Sequence, residues 1–424
     1  MRFIALFVTG ICFSFITEAQ LVNIKNMSPE WVRCGARNAA ITGTDLIIYN
    51  PAALTHIKEG FSLNVGNQAY RSVPLQTTEE NNQPQTFTSE VISYIHPDLL
   101  LSYHKKSWAV WAGAFLSAGQ PLLNYADGNY YSQQLSEAYL ANSIYQRVGK
   151  HSMKLTSDYY TATAGISFNA NDNLSFAIGG RYIYSIKTGK FETTLTDGNQ
   201  NPDYTTGFKF DDRATGYGIT LGIHAIPYDR FTISLRFESN ALLNFKRETE
   251  FKDSLFYSGD FSYRNDLPGI AAIGLGYEFS SKFRMTAEAN YYFQQMAQWG
   301  KTGDEKRIST LAGDAFSFGG GFEWKLHKII TWSCGASYSM PVFNDMNEYY
   351  SNTSAMDYPV YENLTGNTGF ALDVSPSLRI NLGFAKSFYP KDKTIEIKTT
   401  NLPGEKIKLN NDVMLFALSF DFSF

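Results

Sequence analysis

The 424-residue chain carries 36 Lys and Arg against 40 Asp and Glu, and its net charge of −4 gives no basis for binding nucleic acid. Charged residues make up 18% and aromatics 15%, fewer charges than the roughly 25% of soluble domains, while the mean hydropathy is only −0.24. Past the first twenty residues no run of about 18 apolar residues occurs, so membrane-spanning helices are excluded, whereas strands with one lipid face and one polar face fit all three values.

Residues 1–19 open with Arg2, continue as an apolar run from Phe3 to Ile16 and end Thr17-Glu18-Ala19. This is the pattern of a cleavable signal peptide, with the mature chain beginning at Gln20. The run is too short to span a bilayer, and Ile11 before Cys12 argues against a lipoprotein site. With Cys12 removed, Cys34 and Cys334 remain, and they are read as two inert buried thiols rather than a disulfide.

Residues 20–58 are rich in small side chains and have helical stretches broken at Asn50-Pro51. Trp31, Ile41, Leu46, Ile47, Ile48 and Leu54 need walls to pack on. The segment is therefore expected to be a hatch folded into the lumen of whatever follows, rather than a solvated tail.

From residue 59 onward large apolar side chains fall at every second position, as in Phe231, Ile233, Leu235 and Phe237, or Met285, Ala287, Ala289 and Tyr291. Period two marks strands with one apolar face. Short turns at His104–Ser107, Asn169–Asn173, Pro227–Arg230, Ser280–Lys282, His327–Lys328 and Ser375–Ser377 interleave with long polar segments at 73–87, 119–157, 191–210, 248–265, 297–313, 341–366 and 389–410. Six short and seven long connections give fourteen strands, with residues 229–247 expected as one of them. An even strand number with alternating short turns and long loops is the signature of a transmembrane barrel. The chain ends on one more such strand, "FALSFDFSF" at 416–424. Closing against the first strand removes its free edge, and its Phe face meets lipid. The expected fold is all-β, a 14-stranded antiparallel barrel over 59–424 with a small helical hatch. A soluble sandwich would have to bury fourteen such faces in one core.

Gly35-Ala36-Arg37-Asn38-Ala39, Asp45, Tyr49-Asn50-Pro51-Ala52-Ala53-Leu54 and Gly60 resemble the N-terminal region of the long-chain fatty acid outer-membrane transporter family (FadL-like, also OMPP1/TodX). "LPGIAAIGLGYEFSSKFRMTAEANYYF" at 267–293 is similar to a later hairpin of that family. The terminal Phe resembles the signal read by barrel-assembly machinery. What the resemblance implies is location in the outer membrane of a Gram-negative bacterium, barrel-assembly machinery and membrane lipid as partners, and energy-independent uptake of hydrophobic compounds released sideways through a kinked third strand.

Uptake of an apolar solute calls for capture outside, a pocket inside and an exit that avoids water. In 119–157, Tyr131, Leu135, Tyr139, Asn142 and Tyr145 lie at helical spacing; such a helix either captures solute or packs the loops together. Gly119-Gln120-Pro121 is either the kinked lateral opening or the plain end of the third strand. On the polar face, Arg181 and Arg236 either clamp a substrate carboxylate or pair with lumen acids. Asn50, Pro51 and Ala52 form either a gating point or a fixed joint of the hatch.

Catalysis finds no support: there is no G-x-S-x-G, no H-E-x-x-H and no Cys/His cluster. The six histidines show no metal-ligand spacing, and Asp197, Asn199, Asn201 and Asp203 are read as a solvated loop. No cofactor or metal is expected. The reading is passive uptake of hydrophobic small molecules, fatty acids or aromatic hydrocarbons; the alternatives are a structural or adhesive surface barrel and a porin for polar solutes.

Overall fold

The computed structural model describes residues 28–80, 83–198, 201–251, 260–353, 358–391, 393–399 and 402–424. The expected signal peptide and the first residues of the expected hatch lie outside them. Fourteen antiparallel strands close a barrel: β1 (Gly60–Glu80), β2 (Val91–Lys105), β3 (Trp108–Tyr125), β4 (Arg147–Asn171), β5 (Leu174–Thr196), β6 (Tyr204–Tyr228), β7 (Phe231–Glu238), β8 (Ile270–Ser280), β9 (Phe283–Tyr292), β10 (Ala315–His327), β11 (Ile330–Pro341), β12 (Asn363–Ser375), β13 (Leu378–Phe388) and β14 (Leu402–Ser423). Each pairs with its sequence neighbours, and β14 pairs with β1 from Ser62↔Ser423 to Thr77↔Lys408. Closure thus satisfies the two edges that an open sheet would expose.

Alternation along the strands sorts side chains between two media. On β14, Phe416, Leu418 and Phe420 face outward, while Leu415, Ala417, Ser419 and Asp421 are buried. On β1, Phe61 and Val65 are exposed, and Ser62, Asn64 and Gln68 are buried. An apolar belt outside a polar lumen makes this a transmembrane barrel. Along the outer wall near the short turns, Phe283 packs edge to face on Trp324 and Phe322 on Trp332.

All six short connections are two residues long and lie at one end. Lys106 and Arg230 hold positive φ there, at 56° and 69°. Several segments expected as polar loops continue the ladder instead. Gln83–Thr88 folds back on the extended end of β1, Lys393–Thr399 on β14, and Asn244–Phe251 on β6. Residues 229–247 are not one strand, because pairing breaks between Glu238 and Asn244, where Ala241 bridges Leu267.

Residues 28–58 run inside the barrel, in its short-turn half. Helix α1 (Pro29–Cys34) starts on Ser28, whose Oγ accepts from Trp31 N, and stops at Gly35, whose φ of 75° only Gly adopts freely. Helix α2 (Leu46–Tyr49) leads through Asn50 into a 3₁₀ turn, Pro51–His56. At the opposite end α3 (Tyr130–Ala141), α4 (Ile308–Ala312) and α5 (Met346–Ser351) fold over the mouth. The two cysteines are free. Cys34 is buried in the lumen with its Sγ on Glu30 O and Ala36 O, whereas Cys334 is half-buried on the outward face of β11.

A Cβ at Gly321 or at Gly335 would overlap Cys34 O, so bare backbone on β10 and β11 forms the seat of α1. Burial pushes the Cys34 thiol up to about 12, so thiolate is scarce up to pH 9. Cys34 should therefore resist maleimide in the folded protein over that range. Gly335→Val should lift the segment and give complete labelling at pH 7.5, checked by mass shift against Cys34→Ala.

Candidate functional site

Guanidinium and carboxylate groups tie the inner segment to the wall. Arg37 forms a two-pronged pair with Asp45, Nε to Oδ2 at 2.7 Å and Nη2 to Oδ1 at 2.6 Å. Arg33 reaches Glu323 at 2.6 Å and Asn381 at 3.2 Å, and also donates to Ser333. Glu30 Oε1 accepts from Asn64, Asn381 and Ser419, at 2.6–2.9 Å. Glu288 accepts from Trp31 Nε1 and from the backbone N–H groups of Arg37 and Asn38. Each of these buried charges has a partner of opposite sign or a set of donors, as burial in a narrow lumen requires.

Asn50, Pro51 and Ala52 sit on β4, β5 and β6. Asn50 Oδ1 accepts from Ala52 N, and its Nδ2 donates to Ile223 O at 2.8 Å. The carbonyls of Pro51 and Ala52 accept from Ser167 (2.6 Å) and Ser175 (2.9 Å). Asn50 caps the turn and bonds the wall together, while Pro51 has no N–H to satisfy. This joint is fully bonded and does not line the central cavity.

Arg181 pairs with Glu238 and donates to Ser239 O. Arg236 pairs with the other Glu238 oxygen at 2.7 Å and donates to Ile48 O at 2.5 Å. The two cations thus share one acid and brace the inner segment, rather than standing free for a substrate carboxylate.

The mouth helix α3 is built as its spacing suggests, with Asn129 capping it through Ser132. Its apolar side faces inward. Tyr131, Leu135 and Tyr139 are all buried; Tyr131 donates to Tyr350 O and Thr353 O, and Tyr139 packs on Phe191. The helix ends before Asn142, and Tyr145 instead stacks on Tyr204. These residues seal the loop cap and present no exposed apolar face. Of the four residues read as a solvated loop, Asp197 accepts from Asn201 N as a turn residue, and Asn199 lies outside the described residues. Among the described residues no cluster suits a metal ion.

The third strand does not end at Gly119–Pro121. It continues to Tyr125 with two register shifts against β4. Leu116 and Ala118 face consecutive residues, Tyr160 and Tyr159, and Gln120 and Leu123 face Ser157 and Leu155. One extra residue is inserted at Ser117 and one between Gln120 and Leu123. Gly119, at φ 123°, fits because any Cβ would overlap Ser157 O. On the other side, β2 pairs with β3 from Lys105↔Trp108 only to Asp98↔Phe115, and among the described residues that ladder goes no further. Beyond it β2 bulges against β1 between Gln68 and Tyr70, and Asn67 bonds Tyr94 O and His96 N at 2.9 Å each. The strands meet again where Asn124 N donates to Ser89 Oγ at 2.8 Å. A window therefore opens in the wall between residues 91–97 and 116–123, with exposed Ile92, Tyr94 and Ile95 at its lipid rim.

Behind the window a cavity of about 90 Å³ lies between the inner segment and the loop cap. Gly119 lines it, with Trp31 and Tyr49 from below, Tyr358 and Tyr389 from the cap, and Arg236 from the wall. Tyr358 hydrogen-bonds Tyr70 over its top. No expectation from the sequence named Trp31, Tyr49 or the cap tyrosines as lining, since they come from three distant segments.

No protein-family model matches the sequence, and no curated protein matches it. Solved structures do match in fold. A Pseudomonas aeruginosa FadL homologue superposes with a TM-score of 0.66 at 15% identity, over 97% of this chain and all of that one. The Pseudomonas putida toluene transporter TodX gives 0.63 at 15%, over 97% and 100%. The Ralstonia pickettii toluene transporter TbuX gives 0.60 at 14%, over 95% and 99%. The chain has the FadL fold. The resemblance read from Gly35–Gly60 and from 267–293 therefore holds at the level of architecture, a fourteen-stranded barrel of the outer-membrane type.

Arg37→Ala would leave the fully buried Asp45 without its counter-charge, at a cost of about 3–5 kcal/mol. Thermal unfolding followed by loss of the heat-modifiable gel shift should show a clearly lowered midpoint. Asp45→Asn combined with Arg37→Ala should recover part of it.

Proposed function

We propose that this protein is a passive channel for small hydrophobic molecules in the outer membrane of a Gram-negative bacterium, with no enzymatic activity. A solute entering between the cap loops reaches the central cavity and leaves sideways through the window between β2 and β3. The observation that carries this reading is the interrupted ladder itself. In lipid, unpaired backbone costs several kcal/mol per group, so a barrel keeps such a gap only where the opening serves a purpose. Gly119 belongs both to the gap and to the cavity, which joins the two.

The short-turn end supports the same direction of travel. There the inner segment closes the lumen with ion pairs, and the vestibule beneath it is lined by Lys58, Asp373, Arg379 and Asp421. An apolar solute crossing this floor would have to separate charge pairs and then enter water. The open-porin alternative is disfavoured by the same floor, and a purely adhesive surface barrel by the folding of the loops over the mouth. Asn50, Pro51 and Ala52 then act as the anchor of the hatch, Gly119 and Pro121 as the lateral opening, and Tyr131, Leu135 and Tyr139 as the frame of the cap. Between fatty acids and aromatic compounds, the small cavity favours aromatics: its about 90 Å³ is nearer the about 150 Å³ that holds one benzene in a rigid core than the much larger space a long acyl chain needs.

Deleting Ser117 together with Pro121 removes both extra residues, lets β3 pair with β4 without interruption and brings 116–123 back into line beside β2. Cells carrying this variant should insert a folded barrel at normal level yet lose uptake of a radiolabelled aromatic hydrocarbon, at least about tenfold. Undiminished uptake with a folded barrel would rule out the lateral route.

A further inference from the structure

The cavity is apolar over most of its lining, but the polar part is gathered on one side. Ligand pockets for apolar molecules are mainly apolar with a few placed polar groups, yet here one wall is polar across five adjacent strands. β9 contributes Glu288 and Asn290, β10 Ser317, β11 Ser337 and Ser339, and β12 and β13 further hydroxyl and amide side chains. Asn290 and Ser317 are used up within the protein: Asn38 Nδ2 donates to Asn290 Oδ1, and Asn290 Nδ2 donates to Ser317 Oγ. Ser337 and Ser339 are not. Two residues apart on β11, they share the lumen face, and neither hydroxyl bonds a described residue. Trp31, Tyr49 and Leu415 add apolar surface to the same lining.

We infer that the cavity selects a small neutral aromatic bearing a hydroxyl group, a phenol, over both a hydrocarbon and a carboxylic acid. The inference rests on the channel reading above and narrows its solute class. A ring lies against Trp31 and Tyr49, and its hydroxyl meets the Ser337–Ser339 edge, where it both donates and accepts. A hydrocarbon of equal shape would strip water from those two hydroxyls and offer nothing in return. An acid is disfavoured for a separate reason. The one cation in the lining, Arg236, shares Glu238 with Arg181 and donates to Ile48 O, and the Glu288 carboxylate faces the same space, so two cations already meet two acids. A ligand carboxylate would meet repulsion without a free counter-charge. The cavity volume of about 90 Å³, below the about 150 Å³ that holds one benzene, adds that the ligand is no larger than a single ring.

Three para-substituted toluenes of nearly equal shape separate the possibilities: p-cresol, p-xylene and 4-methylbenzoate. Their binding to the full mature barrel in detergent is read by ligand-observed NMR titration at pH 7. The expected result is p-cresol about tenfold tighter than p-xylene, the value of roughly one net hydrogen bond, with 4-methylbenzoate weakest. Replacing both serines, Ser337→Ala with Ser339→Ala, should narrow the cresol-to-xylene ratio to about twofold. If p-xylene binds as tightly as p-cresol, the phenol inference falls and the channel reading stands. If 4-methylbenzoate binds best, the inference falls in favour of an acid site. If none of the three binds and cells show no uptake of them, the inference falls together with the channel reading.

Discussion

A backbone in lipid must find every hydrogen-bond partner within the protein, and the rest of this structure depends on how that constraint is met and where it is relaxed. Closure of β14 on β1 meets it around the circumference. The relaxation is local: between residues 91–97 and 116–123 the ladder is interrupted. Substitute bonds appear on its borders, the Asn67 amide on the β2 bulge and Ser89 on β3. Two inserted residues in β3 and one glycine at positive φ shape the gap, so it is written into the strand and does not arise from missing contacts elsewhere. Bulges at a functional opening are a recurring device for re-aiming a strand.

The same logic governs the interior. A fourteen-stranded lumen is too wide for side chains from the wall alone to fill, so the chain supplies a segment that enters it. That segment brings its own charges, and the wall answers them: Glu323 for Arg33, and donors from Asn64, Asn381 and Ser419 for Glu30. Glycines at 321 and 335 bring the backbone of α1 against the wall. A floor held by buried ion pairs is costly to open, because separating a pair leaves each charge unsolvated. The proposed sideways exit would leave those pairs intact.

Much of the fold is legible in the sequence because a transmembrane strand carries a strong rule: period two, with lipid on one side. Phe416, Leu418 and Phe420 against Ser419 and Asp421 declare their faces without any partner in view. The alternation of short and long connections then fixes the strand count. Strand length past the membrane was not legible, since residues 73–80 and 204–211 are polar and turn-like yet continue their ladders in the cap. There the governing medium is water, and the apolar period that marks a strand is lost.

The site was legible only in outline. Gly119 and Pro121 announced an irregularity, but whether a strand stops or bulges depends on register with β4, which no local pattern encodes. Arg181 and Arg236 could either clamp an acid or pair within the lumen, because Glu238, close in sequence to one of them, gave no sign of serving both. Tyr131, Leu135 and Tyr139 showed an apolar helical face, and its partners, Tyr350, Thr353 and Phe191, come from loops and strands far away in sequence. Pairing across a barrel mouth is a long-range property, and one-dimensional periodicity does not contain it.

The central claim is that solute leaves through the wall while the inner segment stays in place. It is tested most directly by tying that segment down. A Cβ added at Gly222 on β6 would lie 3.4 Å from the Ala52 Cβ of the inner segment, close to the Cβ spacing of a disulfide, and cysteines at these two positions can be joined in the folded barrel. Uptake of one labelled aromatic probe is then compared in the same preparation, oxidised and after reduction. Equal uptake in both states is what the account predicts. Uptake that is lost on oxidation and restored by reduction would show that the solute passes through a moving hatch, and would contradict it.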